Sequence, residues 1–243
     1  MSYVLIVGAK SDIAKEVART YAKNGYNLYL AARNVTSLED LAIDIRTRSG
    51  VEVHLKELDI TEYEIHQDFY DSLEERPLGV VTVSGYMAEQ KEAQVEWAKS
   101  LNTINVNYTG TVSFLNIVAN DFEKERRGFI VGVSSVAGDR GRKANYIYGS
   151  AKAGFSAYLG GLRNRLYESG VQVLTVKPGF VNTAMTKELD LPEKLIAQPL
   201  EVAEDIFKAQ QNGGNVLYTK WIWRYIMFII SHIPEFIFKK MSI

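Results

Sequence analysis

Cysteine is missing from all 243 residues. Neither a disulfide framework nor a thiolate zinc site can form, and the absence fits a reducing compartment. Histidine is scarce as well. His54, His66 and His232 stand far apart without metal-ligand spacing. Each reads as a surface or partly buried side chain, and no metal is expected. Neither sign of charge dominates, since 28 Lys and Arg stand against 29 Asp and Glu. No nucleic-acid partner is expected on that balance, because such binding needs a basic face. A signal peptide is not expected either. Met1-Ser2-Tyr3 leads straight into Val4-Leu5-Ile6-Val7 and a glycine, without the charged start and longer apolar stretch of a leader. The expected location is cytoplasmic. No internal repeat or low-complexity linker interrupts the chain.

What is present is a large apolar fraction. Hydrophobic residues make up 47% of the chain and charged ones 23%, the balance of a globular protein with a substantial core. Short apolar runs bounded by glycine or polar residues predict strands at Tyr3–Val7, Asn27–Ala32, Val51–Leu58, Val80–Val83, Phe129–Val133, Val171–Val176 and Asn215–Tyr218. Amphipathic stretches between them predict helices at Asp12–Asn24, Thr36–Arg48, Thr61–Glu74, Val95–Phe122, Tyr148–Glu168 and Pro199–Gln210. Asn24-Gly25 and Ser169-Gly170 are helix-ending pairs. Alternating strands and helices imply right-handed crossovers and a parallel sheet covered on both faces. The predicted fold is α/β, a single doubly wound sheet of about seven strands with helices on both sides.

Such sheets bind ligands outside the carboxyl ends of their strands. The first strand ends in Gly8-Ala9-Lys10-Ser11-Asp12-Ile13-Ala14. Glycine permits a sharp turn there, and the next helix aims free N–H groups at an anion. Gly8, Lys10, Ser11 and Ile13 are the candidates to border a pyrophosphate. A carboxylate at position 12 would repel one, so Asp12 is expected to cap the helix and face away. The second strand ends Ala31-Ala32-Arg33-Asn34, with no acid to accept from the ribose hydroxyls of NAD. Arg33 suits a 2′-phosphate because its planar fork makes paired charge-assisted bonds. Lys10 could add a second charge. NADP(H) is the expected cofactor and NAD(H) the alternative; the blander reading has both cations simply solvated.

Tyr148 and Lys152 stand one helical turn apart on one face. A free tyrosine exchanges protons poorly at neutral pH, and a nearby ammonium favours the phenolate. That spacing is common on helices. Here it comes with Ser135 thirteen residues before Tyr148, and Asn107 twenty-eight before Ser135. In this order and spacing the chain resembles the short-chain dehydrogenase/reductase family, whose fold is of the Rossmann type. The resemblance runs through Gly8 and Ile13, Leu58-Asp59-Ile60-Thr61, Gly85, Asn107-Tyr108-Thr109-Gly110, Ser134–Gly138, the Tyr148/Lys152 pair and Pro178–Thr183. It implies that Tyr148 is the acid/base and that Lys152 lowers its pKa and holds the nicotinamide ribose. Ser135 would orient the substrate carbonyl, and Asn107 would hold a water that relays protons to Lys152. Asp59 and Ile60 would border the adenine, with Gly85 after the fourth strand. Pro178, Gly179, Val181 and Thr183 would border the nicotinamide.

Two departures stand out. Asp12 and Ala14 replace glycines of the usual cofactor turn, and Thr82-Val83-Ser84-Gly85 replaces Asn-Asn-Ala-Gly. The Gly138–Tyr146 segment, Tyr148–Gly154 and the tail with His232-Ile233-Pro234 resemble the branch of decaprenylphosphoryl-2-keto-ribose reductases. That resemblance implies reduction of a keto-sugar on a polyprenyl phosphate, and the wider family implies a homo-dimer or homo-tetramer. A soluble ketoreductase of small or lipidic carbonyls is the alternative. A nucleotide-sensing or scaffold protein that has lost its chemistry is a third reading, at odds with an intact Asn107, Ser135, Tyr148 and Lys152.

Residues 220–243 read as an apolar, aromatic tail of the same domain as residues 1–219. Trp221–Ile230 is apolar on nearly every side, with Arg224 its only charge. Arg224 and Pro234 interrupt the run well short of the about 20 residues a membrane span needs. Trp, Tyr, Arg and Lys together suit a helix lying at a membrane interface. The expectation is peripheral contact with the cytoplasmic face of a membrane, beside the active-site entrance. The alternative is packing on its own domain or on a second subunit.

Overall fold

Strand residues that are apolar on both faces must be covered on both faces, and those of Tyr3–Val7 and Phe129–Val133 are buried without exception. The computed structural model describes residues 1–184, 186 and 192–241. Its main sheet contains β1 (Tyr3–Val7), β2 (Asn27–Ala32), β3 (Val53–Glu57), β4 (Gly79–Thr82), β5 (Phe129–Val133), β6 (Gln172–Pro178) and β9 (Val216–Thr219). All pair in parallel, in the order β3-β2-β1-β4-β5-β6-β9. β7 (Phe180–Val181) and β8 (Ile196–Ala197) form a small separate pair. The strand order reverses at β1, between β2 and β4, and a crevice opens there at the carboxyl ends.

Alternate strand residues feed two cores. Val4 and Ile6 pack with α1 (Asp12–Lys23), α2 (Glu39–Ser49) and α8 (Pro199–Gln211). Leu5 and Val7 pack with α3 (His66–Asp71), α6 (Gly110–Glu125) and α7 (Tyr146–Leu166). Phe114, Leu115 and Leu159 are wholly buried in the second core. Each such side chain contributes about 1.5–3 kcal/mol, against about 0–1 kcal/mol for an exposed ion pair. Packing, not surface charge, holds these helices to the sheet.

The strands agree with the sequence reading to within a few residues at their ends. The helices differ more. The stretch expected at Thr61–Glu74 is reduced to a 3-10 turn (Tyr63–Ile65) and α3. The Thr61 N–H and hydroxyl both donate to Asp59, at 2.9 and 2.8 Å, a local turn that competes with helix. At the other end, the Ser72 hydroxyl donates to the Phe69 carbonyl at 2.7 Å and stops the helix early. The long helix expected at Val95–Phe122 is α5 (Trp97–Ile104) and α6 joined by a π-helical turn, Asn105–Thr109, with a short α4 (Gln90–Ala93) ahead of them. The tail forms α9 (Ile222–His232) and α10 (Glu235–Phe238). No helix among the described residues is long and apolar enough to cross a membrane.

Candidate active site

The turn after β1 passes close against the end of β4. A Cβ on Gly8 would lie 2.7 Å from the Ser84 nitrogen, and its φ is +81°, so only glycine fits. Ser11, not Asp12, caps α1: its side chain accepts from the Ala14 N–H at 3.1 Å. The capping role expected of Asp12 is thereby corrected. Asp12 begins the helix and reaches across to the loop after β7, accepting from the Ala184 N–H at 3.1 Å. Nor does it face away as expected, since Asp12 lines the larger cavity described below.

Two adjoining cavities run along the carboxyl ends of the strands and share Lys10, Ser11, Val83, Ser84 and Gly85 in their linings. The first, about 300 Å³, is bordered by Gly8, Arg33, Asp59 and Ile60. The second, about 510 Å³, is bordered by Ile13, Ser135, Tyr148 and Lys152 on one side. Pro178, Gly179, Val181 and Thr183 border it on the other. One cleft thus gathers the whole predicted cofactor set.

At the far end, Arg33 Nη1 lies 3.6 Å from Asp59 Oδ2, with the Arg33 side chain 69% exposed. Burial alone would raise the Asp59 carboxyl. The Thr61 donors and the Arg33 charge outweigh it and hold Asp59 below its ordinary value. So exposed a pair is weak, and Arg33 stays free to turn toward a stronger anion. Sequence reasoning missed Glu57. Its carboxylate accepts from the Asn34 and Val35 N–H groups, at 2.5 and 3.1 Å. An acid does stand at this corner, supplied by β3 instead of β2 and already engaged with backbone.

At the near end, Ser135 follows β5 in extended backbone, and its hydroxyl accepts from the Ala137 N–H at 3.1 Å. Tyr148 and Lys152 come from the first turns of α7. Lys152 Nζ sits 5.8 Å from the centre of the Tyr148 ring. It donates to the carbonyls of Val133, at 3.0 Å, and Ser84, at 3.4 Å. Burial pulls the Lys152 pKa down to about 7. Burial also pushes Tyr148 up to about 12, with the Ser135 hydroxyl beside it acting the other way. The direction for Tyr148 is opposite to that expected from a charged neighbour, because desolvation dominates in this cleft. The tyrosine is therefore a protonated donor at neutral pH.

Asn107 lies in the π-turn and does not line the cleft. Its amide donates to the carbonyls of Tyr86 and Thr103, at 2.5 and 2.8 Å. Its Oδ1 is buried with no partner among the described residues. A buried acceptor left open is where an ordered water binds. The sequence reading gave no role to Met87, Arg142 or Asn145, which also line the larger cavity.

The tail packs on residues that line this end. Trp223 and Met227 are buried against Val136, Phe180, Leu195 and Tyr218. A Cβ on Gly179 would lie 2.0 Å from the Trp223 indole nitrogen, so the ring seats only against glycine. The opposite side of α9 is open: Trp221 is 73% exposed, and Tyr225, Phe228 and Ile229 are exposed as well.

The family model described as short chain dehydrogenase matches residues 2–194. An uncharacterized oxidoreductase of Mycobacterium tuberculosis is 35% identical over 241 residues, covering 98% of this chain and 96% of the relative. Among solved structures, a short-chain dehydrogenase from Sphingobium yanoikuyae in complex with NADPH superposes with a TM-score of 0.85 at 24% identity, covering 97% of each chain. A 3-oxoacyl-[acyl-carrier protein] reductase from Brucella melitensis with bound NAD gives 0.79 at 19% identity, covering 89% of this chain and 88% of that one. The structural likenesses bear on the fold alone, and they carry either nucleotide.

Proposed function

The chain belongs to the short chain dehydrogenase family, and from that premise we propose that it reduces a carbonyl group with NADPH. The observation that carries this reading is the single cleft with Arg33 at one end and Ser135, Tyr148 and Lys152 at the other. The cleft fits a dinucleotide. Gly8 leaves room where a Cβ would collide, the N-terminus of α1 faces the shared middle, and Lys10 and Arg33 favour a phosphorylated ribose. When bound, the nicotinamide supplies the hydride to the carbonyl carbon. Ser135 and Tyr148 hydrogen-bond the carbonyl oxygen and orient it. The Tyr148 hydroxyl gives that oxygen its proton and completes the alcohol. Lys152, with the open acceptor of Asn107 behind it, holds the ribose and returns a proton to Tyr148 through water. The test is Tyr148→Phe, assayed by NADPH absorbance on a carbonyl that the wild type reduces. Turnover should fall about 10²–10⁴-fold, the usual contribution of a general acid, with cofactor affinity unchanged. Turnover within about twofold of wild type would reject the assignment.

On the same reading the substrate is a keto-sugar carried on a polyprenyl phosphate, met at the surface of a membrane. Supporting this is the open apolar side of α9, whose buried side packs on the cleft-lining Val136 and Phe180, and its basic setting. Lys220, Arg224, Lys239 and Lys240 surround the tail, against Glu235 alone. Glu235 is itself paired with Arg140 at 2.8 Å. Basic residues beside an apolar helix face suit an anionic lipid surface. The tail, residues 220–243, acts on this reading as part of one domain with residues 1–219. A soluble ketoreductase is the second reading, favoured by the burial of Trp223 and Met227 against the body of the protein.

A further inference from the structure

Three cations crowd the segment after Ser135, and their surroundings differ. Arg140 donates to the carbonyls of Ile230, Ser231 and Ile233 and pairs with Glu235. Lys143 is exposed. Arg142 lines the cleft beside Tyr148, and its side chain makes no hydrogen bond or ion pair among the described residues. Its Nε is buried without a partner there. Asp139, the carboxylate whose charge acts on Arg142, is engaged by Lys177 at 2.5 Å and Tyr218 at 3.0 Å.

Asn145 repeats the pattern one turn later. Its N–H donates to the Arg142 carbonyl at 3.1 Å, which closes a turn between the two residues. Asparagine at a helix N-terminus ordinarily caps it. Asn145 precedes α7 yet makes no side-chain cap bond. Gln90 does that work from α4, accepting from the Ile147 N–H at 3.2 Å. Asn145 Oδ1 is left buried and without a partner among the described residues, and the side chain lines the same cleft.

A guanidinium that lines this cleft with its Nε buried and unpartnered is costly unless a counter-charge meets it. Burial already pulls Arg142 below its ordinary pKa, with the Asp139 carboxylate acting the other way. We infer that Arg142 and Asn145 form a subsite for an anionic group of the substrate, a phosphate or a carboxylate, next to the carbonyl held by Tyr148. Arg142 donates its paired N–H groups to the anion. The Asn145 amide joins it, and its open oxygen accepts from a hydroxyl beside that anion. The pair selects among carbonyl compounds and takes no part in the proton transfer. This rests on the reductase reading above, since it takes the carbonyl to sit at Tyr148.

The test uses the full chain saturated with NADP⁺, so that the phosphate sites of the cofactor are filled. Phenyl phosphate, benzoate and benzyl alcohol share one ring and differ in charge, and calorimetric titration gives their affinities. Wild type should bind an anionic probe more tightly than benzyl alcohol. Arg142→Gln should weaken that probe at least tenfold, about 1.4 kcal/mol, and leave benzyl alcohol and NADP⁺ unaffected. Loss confined to phenyl phosphate identifies a phosphate ligand, and loss confined to benzoate a carboxylate. Arg142→Lys, which keeps the charge and loses the fork, should fall between. Asn145→Ala should weaken the anion without lowering the melting temperature, since its side chain caps nothing; a lowered melting temperature with unchanged affinity would overturn its part. Anion affinities within about twofold of wild type in Arg142→Gln, or no anion preference in wild type, overturn the subsite and leave the reductase reading intact. Failure of wild type to bind NADP⁺ overturns both.

Discussion

Lys152 allows the electrostatics of the cleft to be measured without any substrate. Its side chain is 3% exposed, and its hydrogen bonds go to two backbone carbonyls. Burial lowers its pKa from 10.5 to about 7. In the unfolded chain the amine stays protonated up to the ordinary value. Between the two values the unfolded state binds more protons than the folded one, so stability rises with pH. The cost of burial is fully present below about pH 7 and is gone above about pH 10.5. One pKa unit corresponds to about 1.36 kcal/mol, and the gain from about pH 7.5 to about pH 9.5 is about 2.5 kcal/mol. Tyr148 does not blur this window. Its pKa is raised from 10.0 to about 12, so it adds a slope of opposite sign only above its unfolded value. The assay is urea unfolding of the cofactor-free protein across that range, beside Lys152→Met, which keeps the length and removes the charge. Losing the bonds to Val133 and Ser84 shifts the variant by a constant and leaves the slope difference untouched. Wild type should gain on the variant by about 2.5 kcal/mol; curves parallel within about 0.5 kcal/mol would refute the buried, neutralised lysine.

Cofactor choice rests on Arg33. A charge-assisted bond contributes about 1.5–3 kcal/mol, so NADPH should bind about tenfold or more tightly than NADH, the lower end being apt for so exposed a side chain. Fluorescence titration of both cofactors decides it, and Arg33→Ala should bring the two affinities together; an unchanged ratio means a merely solvated cation. For the tail, full-length protein should float with phosphatidylglycerol vesicles and not with phosphatidylcholine alone, while a chain ending at Thr219 should remain behind. A quadruple change of Trp221, Tyr225, Phe228 and Ile229 to Ser should abolish flotation and spare the melting temperature. Flotation of every form alike, or of none, rejects membrane contact.

The sheet was legible because a strand covered on both faces is a plain apolar run, as Val4–Val7 and Phe129–Val133 are. The residues expected to border a cofactor line adjoining cavities because they lie at strand ends, where the topology brings distant residues together. The rest depended on bonds that no periodicity records. Asp59 bends the chain at Thr61 and removes a turn of the helix expected there. The π-turn around Asn107 goes with an amide held between Tyr86 and Thr103, two residues far apart in sequence. Asp12 looked like a cap because acids favour that end of a helix, yet Ser11 does the capping one residue earlier. Arg142 is the least legible of all. An arginine in a basic loop is ordinary, and what sets it apart is the want of a partner, a property of packing alone.

The placement of α9 bears on whether the tail is an anchor or a roof. A helix that only attached the protein to a surface could hang from the body by a few loose residues. This one is fixed to two segments that line the larger cavity. Trp223 seats against Gly179 on the loop that follows β6. Arg140, five residues past Ser135, binds the carbonyls at the end of α9, pairs with Glu235 and stacks 3.7 Å from the centre of the Phe238 ring. Bonds from one guanidinium to several carbonyls hold a fixed geometry that a single exposed pair does not. The outward side chains of α9 therefore keep a fixed orientation to Ser135 and Tyr148. A bilayer meeting those side chains would hold the cleft mouth at a set angle and depth to the lipid. The two readings of the tail are then compatible. Its inner stripe packs on the body through Trp223 and Met227, and its outer stripe, with Trp221, Tyr225, Phe228 and Ile229, is exposed. On the membrane reading, truncation at Thr219 should remove the exposed stripe together with the buried Trp223 and Met227, whereas substitutions on the outer stripe should remove the first alone.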